Sequence, residues 1–79
     1  METQRTTVRH RVLKAGTIEF NGAGLSCMVR NVSSSGAALD VISPVGIPER
    51  FKLVVQADGL HRSCHVVWRK EKRIGIAFD

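Results

Sequence analysis

The chain has 79 residues, of which 43% are hydrophobic and 24% are charged, and its formal net charge is +5. A chain of this length supports one small domain and leaves no room for a second core. No apolar run approaches the roughly 20 residues that a membrane-spanning helix needs. Residues 1–4 lack the charged-then-apolar order of a signal peptide. We therefore expect a cytoplasmic domain. Its net positive charge favours an anionic partner.

Alternating apolar residues predict β-strands along most of the chain. Hairpin turns are indicated by Asn21-Gly22 and Asp58-Gly59, and Ser43-Pro44 breaks the third strand. No ten-residue segment has a helical period. The six predicted strands cover residues 12–20, 25–30, 37–42, 51–56, 60–70 and 74–78.

Six short strands joined by hairpins predict an all-β fold, either an antiparallel barrel or a sandwich. A closed six-stranded barrel is favoured in so small a chain, because closure removes exposed strand edges. Residues 1–11 are expected to form a flexible basic arm, and residues 12–79 the barrel. The apolar parity of each strand predicts a core of Ile18, Phe20, Leu25, Val29, Leu39, Phe51, Leu53, Val66, Ile74, Ile76 and Phe78.

Two short motifs stand out against this pattern. Arg5 and Arg9 are four residues apart just before the first strand, in the pattern RxxxR. Residues 31–36 read Asn-Val-Ser-Ser-Ser-Gly, in the pattern NxSxxG. Taken singly, the arginines could be solvated charges on a frayed terminus, and the second motif could be an ordinary turn between strands.

In this order, on a small β chain, the two motifs resemble those of the PilZ domain family. The ending also resembles that family: Val66-Val67-Trp68-Arg69, followed by Ile-Gly-Ile-Ala-Phe at 74–78. The resemblance implies a six-stranded antiparallel barrel that binds cyclic di-GMP on its outside. It implies that the RxxxR segment wraps the ligand and that the loop holds a guanine. The residues that match these motifs are Arg5, Arg9, Asn31, Ser33 and Gly36.

These residue types suit a ligand that carries two phosphodiesters and two guanines. A guanidinium is a planar fork that can bridge phosphate oxygens or guanine O6 and N7, and it can stack on a base. Asn31 offers an amide donor and a carbonyl acceptor, and Ser33 adds a hydroxyl. Gly36 permits a positive φ or a close approach of the backbone to the ligand.

Three further residues are candidate contacts to the ligand. His10 and Arg11 lie beside the predicted arm, where Arg11 could assist at the phosphates or simply face solvent. Trp68 shares a parity with Cys64 and Val66, which predicts a place in the core or at its rim; stacking on a base is the alternative. The basic residues of segment 69–73 are expected to form a solvated hairpin tip.

Other chemistry finds little support. Cys27 and Cys64 alternate with apolar residues, as reduced cysteines in a core do, and two cysteines do not complete a zinc site. No nucleophile–base motif and no phosphate-cradling turn occurs, so we expect neither an enzyme nor a metal or cofactor.

The expected function is that of a bacterial cyclic di-GMP receptor that signals to an unidentified downstream protein, with motility and biofilm formation as the processes suggested by analogy. One alternative is a PilZ-like domain that has lost ligand binding and serves as a protein-interaction module. The other is a small basic barrel that binds RNA or single-stranded DNA. Against the second stands a shortage of stacking residues, since the chain has one Trp, three Phe and no Tyr.

Overall fold

The computed structural model describes residues 10–79, which form six β-strands and a single turn of 3₁₀ helix, Gln56–Asp58. Within this range no helix is long and apolar enough to cross a membrane. The all-β prediction is confirmed. The strands are β1 (His10–Phe20), β2 (Ala23–Val32), β3 (Gly36–Asp40), β4 (Arg50–Val55), β5 (Leu60–Lys70) and β6 (Arg73–Phe78).

The strands close into a barrel in the order β1-β2-β3-β6-β5-β4, and every neighbouring pair is antiparallel. Strand β1 completes the closure, because Ile18 pairs with Leu25 of β2 on one side and with Leu53 of β4 on the other. Closure pairs both edges of each strand, and this protects a small sheet from pairing with another chain.

The two ends of the barrel differ in their connections. One end, here called the connection end, carries the β1–β2 and β5–β6 turns and the long connection 41–49 between β3 and β4. The β1–β2 turn has positive φ at Asn21 (50°) and Gly22 (75°), as the predicted type I′ hairpin requires. The opposite end, here called the loop end, carries loop 33–35, the 3₁₀ turn and the start of β1.

The connection 41–49 covers the core at its end of the barrel, since Val41 and Ile47 are buried against it. Arg69 of β5 holds this segment in place. Its guanidinium donates hydrogen bonds to the carbonyl oxygens of Pro44 (3.0 Å) and Ile47 (2.8 Å). The predicted solvated hairpin tip therefore includes one arginine with a structural role.

The core lies inside the barrel and agrees largely with the predicted set. Phe20 and Phe78 are partly buried and pack against it. Cys27 and Cys64 are free thiols within it, and burial raises the pKa of Cys27 to about 11 and that of Cys64 to about 12. The predicted residues that are buried are Ile18, Val29, Leu39, Phe51, Leu53, Val66, Ile74 and Ile76.

Several details of the prediction differ from the structure. Strand β3 ends at Asp40 rather than at residue 42, because its ladder with β6 ends where Asp40 pairs with Arg73. Leu25 is 40% exposed although it pairs with the buried Ile18, because it lies near the start of β2 at the connection end. Trp68 is 45% exposed on the outer surface, because the ladder between β5 and β6 shifts register between Val66 and Trp68. Strand β1 begins at His10 instead of Val12, and the backbone of His10 already pairs with Val32 of β2.

Burial depth predicts how two conservative changes should affect stability. Ile74→Val removes a methyl group from a side chain that is fully buried, so the free energy of unfolding should fall by about 0.5–1.5 kcal/mol. Ile42→Val makes the same change at a side chain that is 84% exposed, and should alter stability by less than about 0.5 kcal/mol. Urea denaturation followed by circular dichroism measures both, and equal effects would contradict the assigned core.

Candidate functional site

Loop 33–35 is organised by the hydroxyl of Ser33, which is buried. The Ser33 Oγ accepts hydrogen bonds from the backbone N–H groups of Ser35 (3.2 Å) and Gly36 (3.3 Å). The Ser33 N–H in turn donates to the Gly36 carbonyl at 2.9 Å, and the Phe78 N–H donates to the Ser35 carbonyl at 2.9 Å. Ser33 therefore shapes the loop from within, and β6 anchors it.

Gly36 is required by a close approach of two backbones. It pairs with Ala77 of β6, and a Cβ at this position would overlap the carbonyl oxygen of Ile76. Gly36 is not among the residues with positive φ. The predicted positive φ is therefore wrong, the close approach to β6 was not predicted, and an approach of the Gly36 backbone to a ligand stays a prediction.

Asn31 faces outward because of a β-bulge in β2. The ladder with β3 pairs Val29 with Leu39 and then Asn31 with Ala38, so that Arg30 is the extra residue. Val29 and Leu39 are both buried in the barrel. Strict alternation from Val29 would turn Asn31 inward as well, whereas the extra residue places it on the outer face beside Ala38.

Trp68 faces outward through a second bulge, in β5. Val66 pairs with Ile76 in the core, and Trp68 pairs with Gly75, which leaves Val67 as the extra residue. The indole then lies directly over Gly75, where even a Cβ would collide with its ring atoms. The bulge thus moves the single tryptophan from the core face to the outer face.

The two bulges bring a row of residues into register across the outside of the barrel. Asn31 pairs with Ala38, Ala38 with Gly75, and Gly75 with Trp68. Backbone pairing of Arg11 with Asn31 extends this row onto β1. With strands about 4.8 Å apart, the path from Asn31 to Trp68 along the curved surface of the barrel is roughly 14 Å. We call this arrangement the outer row.

A shallow depression of about 240 Å³ lies over the outer row. Its floor consists of small residues of β3 and β6. The Asn31 amide lies at one side of the depression, and the Trp68 indole lies at the other. None of its lining residues is charged. The lining residues are Asn31, Ser33, Ser35, Gly36, Ala37, Ala38, Val67, Trp68, Gly75, Ile76 and Ala77.

This geometry suits a flat aromatic ligand better than a compact ion. Alanine and glycine leave the floor level, so a planar ring can lie against it, and the indole offers a face or edge for stacking. The Asn31 amide can donate to and accept from the edge of a heterocycle. Within residues 10–79 no group of three His, Cys, Asp or Glu side chains could hold a metal ion.

Four of the sequence-predicted site residues meet at this depression: Asn31, Ser33, Gly36 and Trp68. His10 and Arg11 lie in β1, where their backbones pair with Val32 and Asn31. Arg5 and Arg9 lie outside the described residues, so their part in the site stays a prediction.

The floor of the depression was not predicted, although the sequence holds a signal for it. In β6, Gly75 and Ala77 alternate with Ile74 and Ile76. Two small residues on the outer parity of a strand indicate a stretch of barrel surface on which a large ring can lie, and in the structure the Trp68 indole lies over Gly75. Ala38 carries no comparable signal, because its role depends on the register between β3 and β6.

Comparison with known proteins identifies the family of the chain. A comparison with curated protein sequences gave no match. The family model described as PilZ domain matches residues 3–79, nearly the whole chain. PilZ domains are known generally as cyclic di-GMP-binding domains, a ligand-binding and adaptor family that is not catalytic. A six-stranded barrel of this topology, and a family match of this extent, lead to one conclusion: the chain belongs to the PilZ domain family.

Proposed function

We propose that this protein is a bacterial receptor for cyclic di-GMP, which it binds on the outer face of the barrel. One guanine lies against Ala38, between the Asn31 amide and the Trp68 indole, which covers Gly75. The arginines of the arm supply the positive charge for the two phosphodiesters. The observation that carries this proposal is the outer row, which places the Asn31 amide, the small side chain of Ala38 and the Trp68 indole on four neighbouring strands.

The depression needs cations from elsewhere, since none of its lining residues is charged. Chain connectivity makes the arm a suitable source. His10 pairs with Val32, the residue before Ser33. Arg9 directly precedes His10, and consecutive Cα atoms are about 3.8 Å apart. Arg5 is five residues from His10 and can extend at most about 18 Å from it. Both arginines are thus within reach of the loop and the depression.

Each part of the proposed site has a separate physical task. Guanidinium groups attract the two phosphodiesters and can form paired hydrogen bonds with phosphate or guanine. Trp68 contributes stacking, which is worth about 1–3 kcal/mol for a nucleic-acid base. Asn31 reads the guanine edge, and Ser33 holds the loop in shape through its contacts with Ser35 and Gly36.

The proposed output is a change in the surface that a downstream protein meets. The arm is the two-state element: free in the absence of ligand, and docked beside loop 33–35 when Arg5 and Arg9 hold cyclic di-GMP. The ligand shifts this equilibrium by its preference for the docked arm. By analogy with the family, we propose that the protein acts in the cytoplasm. Motility and biofilm formation are the processes to examine first.

Removing either arginine of the arm should weaken binding without disturbing the barrel. Arg5→Ala and Arg9→Ala should each reduce the affinity for cyclic di-GMP by about 1.5–3 kcal/mol, the range for a hydrogen bond to a charged group. Lys52→Ala is the matched control, because it removes an exposed cation from β4, which stands opposite β3 in the barrel.

Isothermal titration calorimetry measures these affinities, and a short single-stranded oligonucleotide serves as the competing ligand. Parent-like affinity in both arginine variants would contradict the role of the arm. Tight binding of the oligonucleotide with none of cyclic di-GMP would favour the nucleic-acid alternative. Binding of neither would favour the protein-interaction module.

Two changes in the loop motif should separate hydrogen bonding from backbone fit. Ser33→Ala removes a neutral acceptor of two N–H groups and should weaken binding by about 0.5–1.5 kcal/mol; the exposed neighbour Ser34→Ala is its control. Gly36→Ala should lower stability by about 1–3 kcal/mol, because the new methyl group overlaps the Ile76 carbonyl.

Gly24→Ala is the control for Gly36, since its Cβ would meet only a side-chain methyl of Thr17 at 3.1 Å. Thermal unfolding measures stability, and calorimetry measures binding. If Gly36→Ala were as stable as Gly24→Ala, the argument from close approach would fail.

The proposed switch makes a prediction about order in the arm. The amides of residues 1–9 should show low order parameters in the free protein and values near those of the barrel at saturation with cyclic di-GMP. ¹⁵N relaxation measures both states. An arm that is rigid without ligand, or mobile when saturated, would exclude the switch and leave simple binding intact.

A further inference from the structure

The connection 41–49 exposes two large aliphatic side chains. Ile42 is 84% exposed and Val45 is 85% exposed, more than any other large hydrophobic residue in the described chain. Their neighbours Val41 and Ile47 point into the barrel and cover its core. Part of this short segment is thus anchored, while two of its side chains project into solvent, where each leaves apolar surface in water.

A third aliphatic residue extends this surface. Leu25, at the start of β2, lies with Ile42 and Val45 around a shallow depression of about 260 Å³ at the connection end. Leu25 is 40% exposed. We call Leu25, Ile42 and Val45 the end patch. None of the described residues covers it.

Positive charge lies directly beside the end patch. Segment 69–73, at the β5–β6 turn, contains four basic residues and one acidic residue, a net charge of +3. Its position is fixed relative to the connection, because the Val41 N–H donates to the Lys72 carbonyl at 2.9 Å. On the other side of the connection, the Arg69 guanidinium donates to the carbonyls of Pro44 and Ile47.

The cations of this segment are not all engaged. Arg73 donates to Asp40 at 2.6 Å, and Arg69 holds the connection. Lys70 and Lys72 are exposed and form no ion pair with any other residue between 10 and 79. The connection itself carries one charged residue, Glu49, next to the start of β4.

We propose that the connection end of the barrel docks onto an anionic lipid bilayer. Ile42 and Val45 enter the boundary between headgroups and acyl chains, and Lys70 and Lys72 meet the lipid phosphates. Projecting aliphatic side chains beside unpaired lysines are the arrangement by which a surface binds both layers of such a membrane. The proposal stands apart from cyclic di-GMP binding, since the outer row and the end patch use different residues.

A bilayer fits the end patch better than a protein partner does. A stable protein interface buries about 800 Å² on each side, far more than three aliphatic side chains can supply. A bilayer requires no matching surface, and its anionic headgroups complement the charge of segment 69–73. Binding through two inserted side chains and a few cations is weak and reversible.

The test is cosedimentation with vesicles, with no nucleotide present. One set contains phosphatidylglycerol and phosphatidylcholine in equal parts, and the other contains phosphatidylcholine alone. The full chain should pellet with the anionic vesicles, should stay in solution with the neutral ones, and should be released as salt screens the lysines.

Variants then locate the contact. Ile42→Ser/Val45→Ser should lower partitioning about tenfold, and Lys70→Gln/Lys72→Gln should lower it about fivefold for each lysine. The apolar control is Leu13→Ser, which removes a side chain that is 65% exposed on β1. The charge control is Lys14→Gln/Arg62→Gln, which lowers the net charge equally; neither control should change partitioning more than about twofold. All four proteins should retain the parent far-ultraviolet spectrum, because every substituted residue is exposed or partly exposed.

Three results would overturn the proposal. The first is no partitioning of the parent onto anionic vesicles. The second is equal loss in the end-patch variant and its Leu13→Ser control. The third is loss in Arg5→Gln/Arg9→Gln with none in Lys70→Gln/Lys72→Gln, which would assign the lipid contact to the arm. The parent protein could fail to bind vesicles and instead self-associate, as measured by light scattering, while Ile42→Ser/Val45→Ser stays monomeric. In that case the end patch is a contact between copies of the chain.

Discussion

Side chains alternate between the two faces of a β-strand, so one extra residue in a ladder sends the next side chain to the opposite face. Two such bulges determine what this barrel presents to solvent. Arg30 is the extra residue that turns Asn31 outward, and Val67 is the one that turns Trp68 outward. Because both bulges flank the β3–β6 ladder, the amide and the indole arrive on one surface, in register with Ala38 and Gly75. Without them, a polar side chain and the tryptophan would compete for space in a small core.

The charge of the protein is divided among separate tasks. Arg69 ties the connection to β5, and Arg73 pairs with Asp40, so these arginines support the barrel. The depression on the outer row has no charged lining, and in the proposed mechanism its cations come from the arm. In that mechanism the barrel supplies the shape of the site, and the arm supplies its positive charge. Lys70 and Lys72 form a third group, at the far end of the barrel, suited to a different anionic surface.

Loop 33–35 shows how one motif can serve structure and recognition together. The Ser33 hydroxyl accepts hydrogen bonds from the backbone of its own loop, and Gly36 allows β3 to approach β6 closely. A sequence pattern containing these residues therefore reports a loop shape as much as a set of ligand contacts. The same reasoning explains why effects on binding at Ser33 and Gly36 must be measured beside effects on stability. Asn31, on the outer face and half-buried, is the member of the motif best placed to act on a ligand directly.

The sequence by itself determined the strand pattern, the Asn21-Gly22 turn, most of the core and the loop of the site, because alternation and turn chemistry are local properties. It also singled out Asn31, Ser33 and Gly36. Only the tertiary structure decided the outer face of Trp68 and the alignment of Ala38 with Gly75. Those outcomes depend on register between strands distant in sequence, and a bulge becomes visible only when its partner strand is known. Strict alternation placed Trp68 in the core or at its rim for this reason, whereas a one-residue shift against β6 put it on the outer surface.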